Sequence, residues 1–168
     1  MPSAGNALRP FWAVMTFTVL LDRLTKVAAE RSLGDGAVSV IGEMLQFRLV
    51  HNQGAAFGLE LGIWQRWIFV VIALVAVVWL RRASQQADPA DGLRQFAVAF
   101  VAGGASGNLV DRLLSSRGVV DFIDIGAGHL RWPTFNVADI AVTCGAVALA
   151  ISLWREDARR VPAPSSPA

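Results

Sequence analysis

Residues Phe69–Leu80 read FVVIALVAVVWL and contain no polar side chain. A helix on the surface of a soluble protein presents a polar face every 3.6 residues, and this stretch has none. The segment is therefore buried on all sides or faces lipid. Because the chain has only 168 residues, it has little interior in which to bury several such helices. We interpret the segment as the centre of a transmembrane helix.

Three further windows approach the roughly 20 apolar residues that a helix needs to cross about 30 Å of hydrocarbon. The composition agrees, since 54% of the residues are apolar and 17% are charged, whereas a typical soluble domain is about 25% charged. We predict an all-α membrane protein with four transmembrane helices, formed by one domain over residues 1–160 and followed by a disordered tail over residues 161–168. The helices are expected at about residues 8–29, 63–80, 93–114 and 137–154.

Arginines near the helix ends predict the orientation in the membrane. Arg9 precedes the apolar stretch of the first window, which begins at Phe11, and two clusters follow the second and fourth windows. The clusters consist of Arg81, Arg82 and Arg94, and of Arg155, Arg159 and Arg160. They predict cytoplasmic termini and an outward-facing position for residues 31–62 and 115–135. The same arginines explain the sequence pI of about 9.5 without a nucleic-acid partner.

A cleaved signal peptide is the alternative for the first window, since Arg9 and Phe11–Leu21 resemble its charged and apolar regions. However, Asp22, Arg23 and Lys26 occupy the place where small residues should mark the cleavage site. Three more apolar windows also follow, so the sequence favours a retained helix.

The first outer loop is expected to contain a short strand within residues 44–50, because apolar and polar side chains alternate there with a period of two. The next segment, residues 51–58, reads HNQGAAFG and mixes turn residues with apolar ones. The sequence leaves open whether this segment is a helix or a turn. We therefore expect a small extracytoplasmic region that contains β-structure beside the four helices.

Ionisable residues inside the predicted helices are candidates for function, because each costs at least about 2.5–3.5 kcal/mol to insert. Asp22 and Lys26 lie four residues apart on one helical face and form either a structural ion pair or part of a site. In the third helix, Asn108, Asp111 and Arg112 share a face and either cap the helix or serve a site. Small residues that permit close helix packing precede them: Gly103, Gly104 and Gly107.

Two further acids lie near the predicted outer boundary. Asp121 interrupts an apolar run, and Asp139 follows Asn136 by three residues at the start of the fourth helix. Asn136 and Asp139 alone indicate a helix cap. Two carboxylates in one site, however, share a single proton, so that one activates water and the other donates to a carbonyl. The residues alone leave Asp111, Asp121, Asp124 and Asp139 as candidate acids.

Other chemistries are less consistent with the residues. The segment Gly104–Gly107 matches the GxSG motif of rhomboid serine proteases, but the chain's histidines, His51 and His129, lie in outer loops. No HExxH or paired Cys/His motif indicates a metal. The alternative from another class is a membrane transporter or ion pathway, which would place acids near the midplane on broken helices.

The polar segments resemble the motifs of the lipoprotein signal peptidase (signal peptidase II) family. The resemblance covers about residues 11 to 154 and involves five segments in order: Asp22–Lys26, Asn52–Gly58, Gly107–Arg112, Val119–Phe122 and Phe135–Asp139. Arg23 departs from the pattern, because family members often carry glutamine there, but Asp22 and Lys26 remain.

The resemblance implies an aspartic endopeptidase at the outer face of the bacterial cytoplasmic (inner) membrane, without a cofactor or metal. Its substrates would be prolipoproteins, cleaved just before a cysteine that carries diacylglycerol. The resemblance assigns catalysis to Asp121 and Asp139 and gives Asp124 no role. It assigns support and substrate binding to Asp22, Lys26, Asn52, Gly54, Phe57, Asn108, Asp111, Arg112 and Asn136. We also expect the loop around Phe57 to act as a lid or a lipid-facing cradle.

Overall fold

The fold is taken from a computed structural model that describes residues 4–54 and 64–160. Within these residues it is mostly helical, with α1 over Ala4–Ser32, α2 over Gln65–Gln86, α3 over Gly92–Leu114 and α4 over Val137–Arg160. The four predicted windows are therefore helical, and each helix extends beyond its window at one end or both. The segment from residue 55 to residue 63, with Phe57, and the predicted tail lie outside the described residues.

Two of the four helices, α2 and α4, are long and apolar enough to cross a membrane. The apolar windows of α1 and α3 are weaker for a physical reason. The second half of α1 contains both Asp22 and Lys26, and α3 is rich in alanine and glycine and ends with Asp111 and Arg112. The structure thus confirms the four helices, but length and composition identify only two of them as candidate spans.

Helix α3 lies at the centre of the bundle and packs against the other three helices. Its glycines make this packing possible, as the sequence predicts. A Cβ atom on Gly103 would lie 2.7 Å from Cβ of Thr18 in α1, and one on Gly104 would collide with the carbonyl oxygen of Ala138 in α4. An apolar core joins α1, α2 and α3, and it contains Phe11, Leu80, Val98, Ala99 and Ala102.

One end of the bundle, which we call the basic end, brings together the start of α1, the end of α2, the start of α3 and the end of α4. The guanidinium of Arg81 lies 5.4 Å from the ring centre of Phe11. Ser152 Oγ donates to Asp91 at 2.6 Å. Arg94 and Glu156 form an ion pair at 2.9 Å. The helices therefore run up, down, up and down.

The opposite end, the sheet end, carries a four-stranded antiparallel sheet in the order β1-β2-β3-β4. Its strands are β1 (Val38–Ile41), β2 (Leu45–Asn52), β3 (Val119–Ala127) and β4 (Leu130–Arg131). Strand β2 confirms the predicted alternating strand and continues two residues further, to Asn52. The sheet thus extends the helix bundle at the end where the candidate acids lie.

Candidate active site

Asp121 lies on β3 with its side chain 2% exposed. Strand β2 pairs with β3 so that Asn52 lies opposite Val119, two residues from Asp121. This register lets Nδ2 of Asn52 donate to Oδ2 of Asp121 at 3.0 Å. The Asn52 amide is held in this orientation, because its Oδ1 accepts the backbone N–H of Gly54 at 2.8 Å.

Asp139 lies in the first turn of α4, where Asn136 caps the helix. The backbone N–H of Asp139 donates to Oδ1 of Asn136 at 3.0 Å, and the backbone N–H of Asn136 donates to Oδ2 of Asp139 at 3.1 Å. This reciprocal pair is a capping box, which confirms the interpretation of Asn136 as an N-cap. An acid at this position is also stabilised by the helix dipole.

The capping residue Asn136 also joins the two acids. Since its Oδ1 is used in the cap, its Nδ2 group faces the other way and donates to Oδ1 of Asp121 at 2.7 Å. One buried asparagine side chain is therefore hydrogen-bonded to Asp121 and to the backbone of Asp139. The structural interpretation of this segment as a helix cap is confirmed, and the same side chain also contacts the second candidate acid.

Asn108 on α3 completes the contacts of Asp139. Its Nδ2 donates to Oδ1 of Asp139 at 2.8 Å. Its Oδ1 accepts from Nδ2 of Asn136 at 3.1 Å and from Nζ of Lys26 at 2.9 Å. Each oxygen of Asp121 and each oxygen of Asp139 thus accepts one N–H donor.

Behind these contacts lies an ion cluster formed by Lys26, Asp22 and Asp111, whose side chains are 2% exposed or less. Nζ of Lys26 lies 2.8 Å from an oxygen of each acid. The cluster also holds the backbone of the site. Asp22 accepts the N–H of Ala138 at 2.9 Å, and Asp111 accepts the N–H of Val120 at 3.3 Å.

Arg112 and Gly54 lie on the side of the site nearest α2. The Arg112 guanidinium lies 5.1 Å from the ring centre of Phe69 and interacts electrostatically with Asp121 and Asp139. Gly54 has φ +107°, and a Cβ atom there would lie 2.6 Å from the same ring. A side chain at position 54 would therefore displace the aromatic ring on which Arg112 rests.

Burial dominates the electrostatics of Asp121. Loss of solvation, aided by the nearby charge of Asp139, raises the pKa of Asp121 from 3.8 to about 6. Hydrogen bonds from Asn52 and Asn136 oppose this shift but do not cancel it. A buried carboxyl group with a raised pKa beside a second carboxylate is the arrangement that can hold one proton and accept another.

Of the residues predicted for the site, the structure brings together the two acids and all of the described supporting residues, whereas Phe57 lies outside the described residues. Asp124 is held elsewhere, by Nε of Arg131 at 2.8 Å. Ser106 has no hydrogen bond to a histidine within residues 4–54 and 64–160. Sequence reasoning missed Arg66, whose Nη2 donates to the carbonyl of Leu113 at 2.9 Å at the end of α3. Its only signal is a charge at the border of an apolar window.

The chain is similar to known proteins along most of its length. The family model of signal peptidase (SPase) II matches residues 14–155. A lipoprotein signal peptidase of Burkholderia mallei (strain SAVP1) is 38% identical over 153 residues, which cover 88% of this chain and 89% of the relative.

Two solved structures, each described as a bacterial membrane enzyme structure obtained by the in meso method, have a similar fold. One has a TM-score of 0.79 at 25% identity and covers 96% of this chain and 95% of its own. The other has a TM-score of 0.75 at 28% identity, with coverage of 89% and 92%. These matches do not support the alternative of a transporter or ion pathway. Since the family model covers most of the sequence and the relative is 38% identical, the chain belongs to the signal peptidase II family.

Proposed function

We propose that this chain is a membrane aspartic endopeptidase in which Asp121 and Asp139 form the catalytic pair. Its activity is the removal of signal peptides from prolipoproteins, as expected for the signal peptidase II family. The observation that carries the proposal is the side chain of Asn136, which is hydrogen-bonded to Asp121 and caps the helix that begins with Asp139. It keeps in one site two acids that lie on different elements, β3 and α4.

In the proposed mechanism Asp139 is ionised and accepts a proton from water, while Asp121 is protonated and donates to the scissile carbonyl. Asp121 is the buried acid with the raised pKa, so it is the better holder of a proton. Asp139 accepts a backbone N–H and lies at the N-terminus of α4, and both features stabilise its ionised form. The attacking hydroxyl forms a gem-diol, which collapses as the amine leaves with a proton. The mechanism as proposed uses no metal and no cofactor.

We further propose that all four helices cross the membrane. At 1.5 Å per residue, α1 and α3 are about 43 and 35 Å long, which exceeds the hydrocarbon thickness. Their polar residues face one another inside the bundle, in the ion cluster. The outer face of α1 is apolar and open, with Phe17 66% and Leu24 68% exposed. A helix with such an apolar outer face needs lipid around it, even though its inward-facing polar residues lower its mean hydropathy.

The proposed orientation places the basic end in the cytoplasm, following the positive-inside rule, and the sheet end outside. The site then lies at the outer boundary of the bacterial cytoplasmic membrane. A signal peptide is a membrane helix and the diacylglyceryl group is lipid, so both reach this boundary by lateral movement within the bilayer. The proposed partners are therefore lipidated prolipoproteins and membrane lipids.

The test is cleavage of a diacylglyceryl-modified precursor by the purified full-length chain and by Asp121→Asn and Asp139→Asn variants. Each variant is expected to lose cleavage while it remains folded in the membrane. Asp124→Asn is the matched control, because it removes a buried charge from the same strand without a contact to the pair. Wild-type cleavage by either Asp121→Asn or Asp139→Asn would contradict the assignment.

A further inference from the structure

The amide of Asn108 can present either oxygen or NH2 to Asp139, and the two orientations have opposite consequences. With NH2 toward the carboxylate, the amide stabilises the ionised acid; with oxygen toward it, two acceptors face each other. The structure has the NH2 group at 2.8 Å from Oδ1 of Asp139. Something other than Asp139 must enforce that choice whenever the acid changes its protonation state.

The group that enforces it is Lys26. Its ammonium has three donors and no acceptor, and these donors meet Asp22, Asp111 and Oδ1 of Asn108 at 2.8, 2.8 and 2.9 Å. Turning the Asn108 amide round would place its NH2 group against the ammonium. Nδ2 of Asn136 also donates to Oδ1 of Asn108, at 3.1 Å, but an amide has an acceptor of its own, whereas the ammonium has none. In a site where Lys26 is 0% exposed, no water can relieve that contact.

We propose that Lys26 is a positioning residue, which locks the Asn108 amide so that its NH2 group always faces Asp139. The proposal rests on the catalytic pair proposed above. Lys26 has no hydrogen bond or ion pair to Asp121 or Asp139 in the described part of the chain. Its charge acts on Asp121 at longer range, and its hydrogen bond to Asn108 is its direct link to Asp139. A purely structural role, in which Lys26 only neutralises Asp22 and Asp111, is the competing explanation.

The effect of Lys26 on Asp139 can be separated from the effects of the other charged and polar groups around Asp139, because these groups come from different elements. Helix α3 contributes Asn108 and the charge of Arg112, β3 contributes Asp121, and α4 contributes the Asn136 cap. Helix α1 contributes Asp22 and Lys26 behind the first turn of α4. Loss of Lys26 leaves Oδ1 of Asn108 with Asn136 as its remaining donor. The amide is then less firmly oriented toward the ionised acid, so the ionised form of Asp139 is expected to be less stable than in the wild type.

The experiment compares Lys26→Met with the wild type in detergent, using the carboxyl 13C signal of Asp139, assigned by its loss in Asp139→Asn. The expected result is a rise of about one to two pH units in the midpoint of the Asp139 titration. The acidic limb of kcat/KM for a lipidated precursor is expected to move in the same direction. Because the NMR titration needs no substrate, it decides the inference even if the chain cleaved no lipoprotein.

Arg23→Gln is the matched control. Arg23 also binds the ion cluster, at 3.3 Å from Oδ1 of Asp111, but it has no hydrogen bond to Asn108. Its removal is expected to leave the Asp139 midpoint within a few tenths of a pH unit of the wild type. An equal shift in Arg23→Gln and Lys26→Met would mean that the cluster acts only through its net charge, and would overturn the inference.

Two further variants separate positioning from folding. Lys26→Met with Asp111→Asn removes one charge of each sign, so the net charge of the cluster stays that of the wild type. This variant serves if Lys26→Met alone does not fold, and it is expected to show the same shift. In an Asn108→Ala background, the charge-balanced pair is expected to add no further shift, because the amide through which Lys26 acts is gone. An unchanged midpoint in the charge-balanced variant, or a full additional shift in the Asn108→Ala background, would disprove the positioning role.

Discussion

The basic end and the sheet end of the bundle use the same kinds of residue in opposite environments. At the basic end, the side chains of Arg94 and Glu156 are 27% and 36% exposed. At the sheet end, Lys26 and Asp111 are also an ion pair, but their side chains are 0% and 2% exposed. Solvent screens the first pair and makes it replaceable, whereas the second must be fully matched by its neighbours.

The largest expected difference between the two ends is in catalysis. Asp121→Asn or Asp139→Asn should lower kcat by about 10²- to 10⁴-fold, since each removes a proton donor or acceptor of the proposed mechanism. Asp91→Asn at the basic end should change kcat less than about two-fold, because within residues 4–54 and 64–160 no contact links Asp91 to the site. Initial rates of precursor cleavage in the same detergent measure both. A comparable loss in Asp91→Asn would mean that the two ends are coupled.

The second difference is in stability. Lys26→Met leaves Asp22 buried without its cation and Asp111 with Arg23 alone, and should lower the free energy of unfolding by roughly 3–5 kcal/mol. Arg94→Gln breaks the screened pair and should cost about 1 kcal/mol or less. Equilibrium unfolding in mixed micelles measures both values. Equal costs would show that the buried cluster is reached by water.

The third difference is in pH dependence. The pKa of Asp121 is raised to about 6 by burial, so the proton needed for catalysis is lost as the pH rises through that value. For the wild type, kcat/KM should fall up to about tenfold per pH unit above pH 6. The limb in kcat should lie at higher pH, because bound substrate excludes more water. A flat profile from pH 5 to pH 9 would contradict the assignment of Asp121 as the acid.

The smallest expected effect concerns an aspartate at the basic end, Asp91. A hydrogen bond from Ser152 lowers the pKa of Asp91 below 3.8, so Asp91 contributes stability above that pH and loses it only as the pH falls through its lowered pKa. Asp91 also caps α3 by accepting the N–H of Arg94. Asp91→Ala should therefore cost about 1 kcal/mol near neutral pH, and less in strong acid. Thermal unfolding at pH 3 and pH 7 tests the sign.

The predictable parts of this fold are those that depend on neighbours in sequence. The Asn136 cap, the alternating strand of β2 and the glycine contacts of α3 follow from spacings of two to four residues. The ion cluster does not, because Lys26 meets Asn108 82 residues along the chain. Sequence spacing places Asp22 beside Lys26 on α1 but cannot indicate that α3 supplies Asp111.

The sheet was predicted only in part, for a related reason. Strand β3 is buried over residues 119–122, so it lacks the alternation by which β2 is detected. Strand β1 has only four residues and depends on its pairing with β2. The candidate acids were all visible in the sequence, but the choice of Asp121 over Asp124 rested on family resemblance. In the structure the two acids have different partners: Asp121 is hydrogen-bonded to Asn136, and Asp124 is paired with Arg131.

The cap formed by Asn136 has a consequence for how the enzyme should fail on heating. The same side chain begins α4 and holds Asp121, so a helix terminus that frays also separates the aspartates. Helix ends open at lower free-energy cost than helix centres. Activity should therefore disappear reversibly several degrees below the temperature at which the bundle unfolds, because the first turn of α4 opens first.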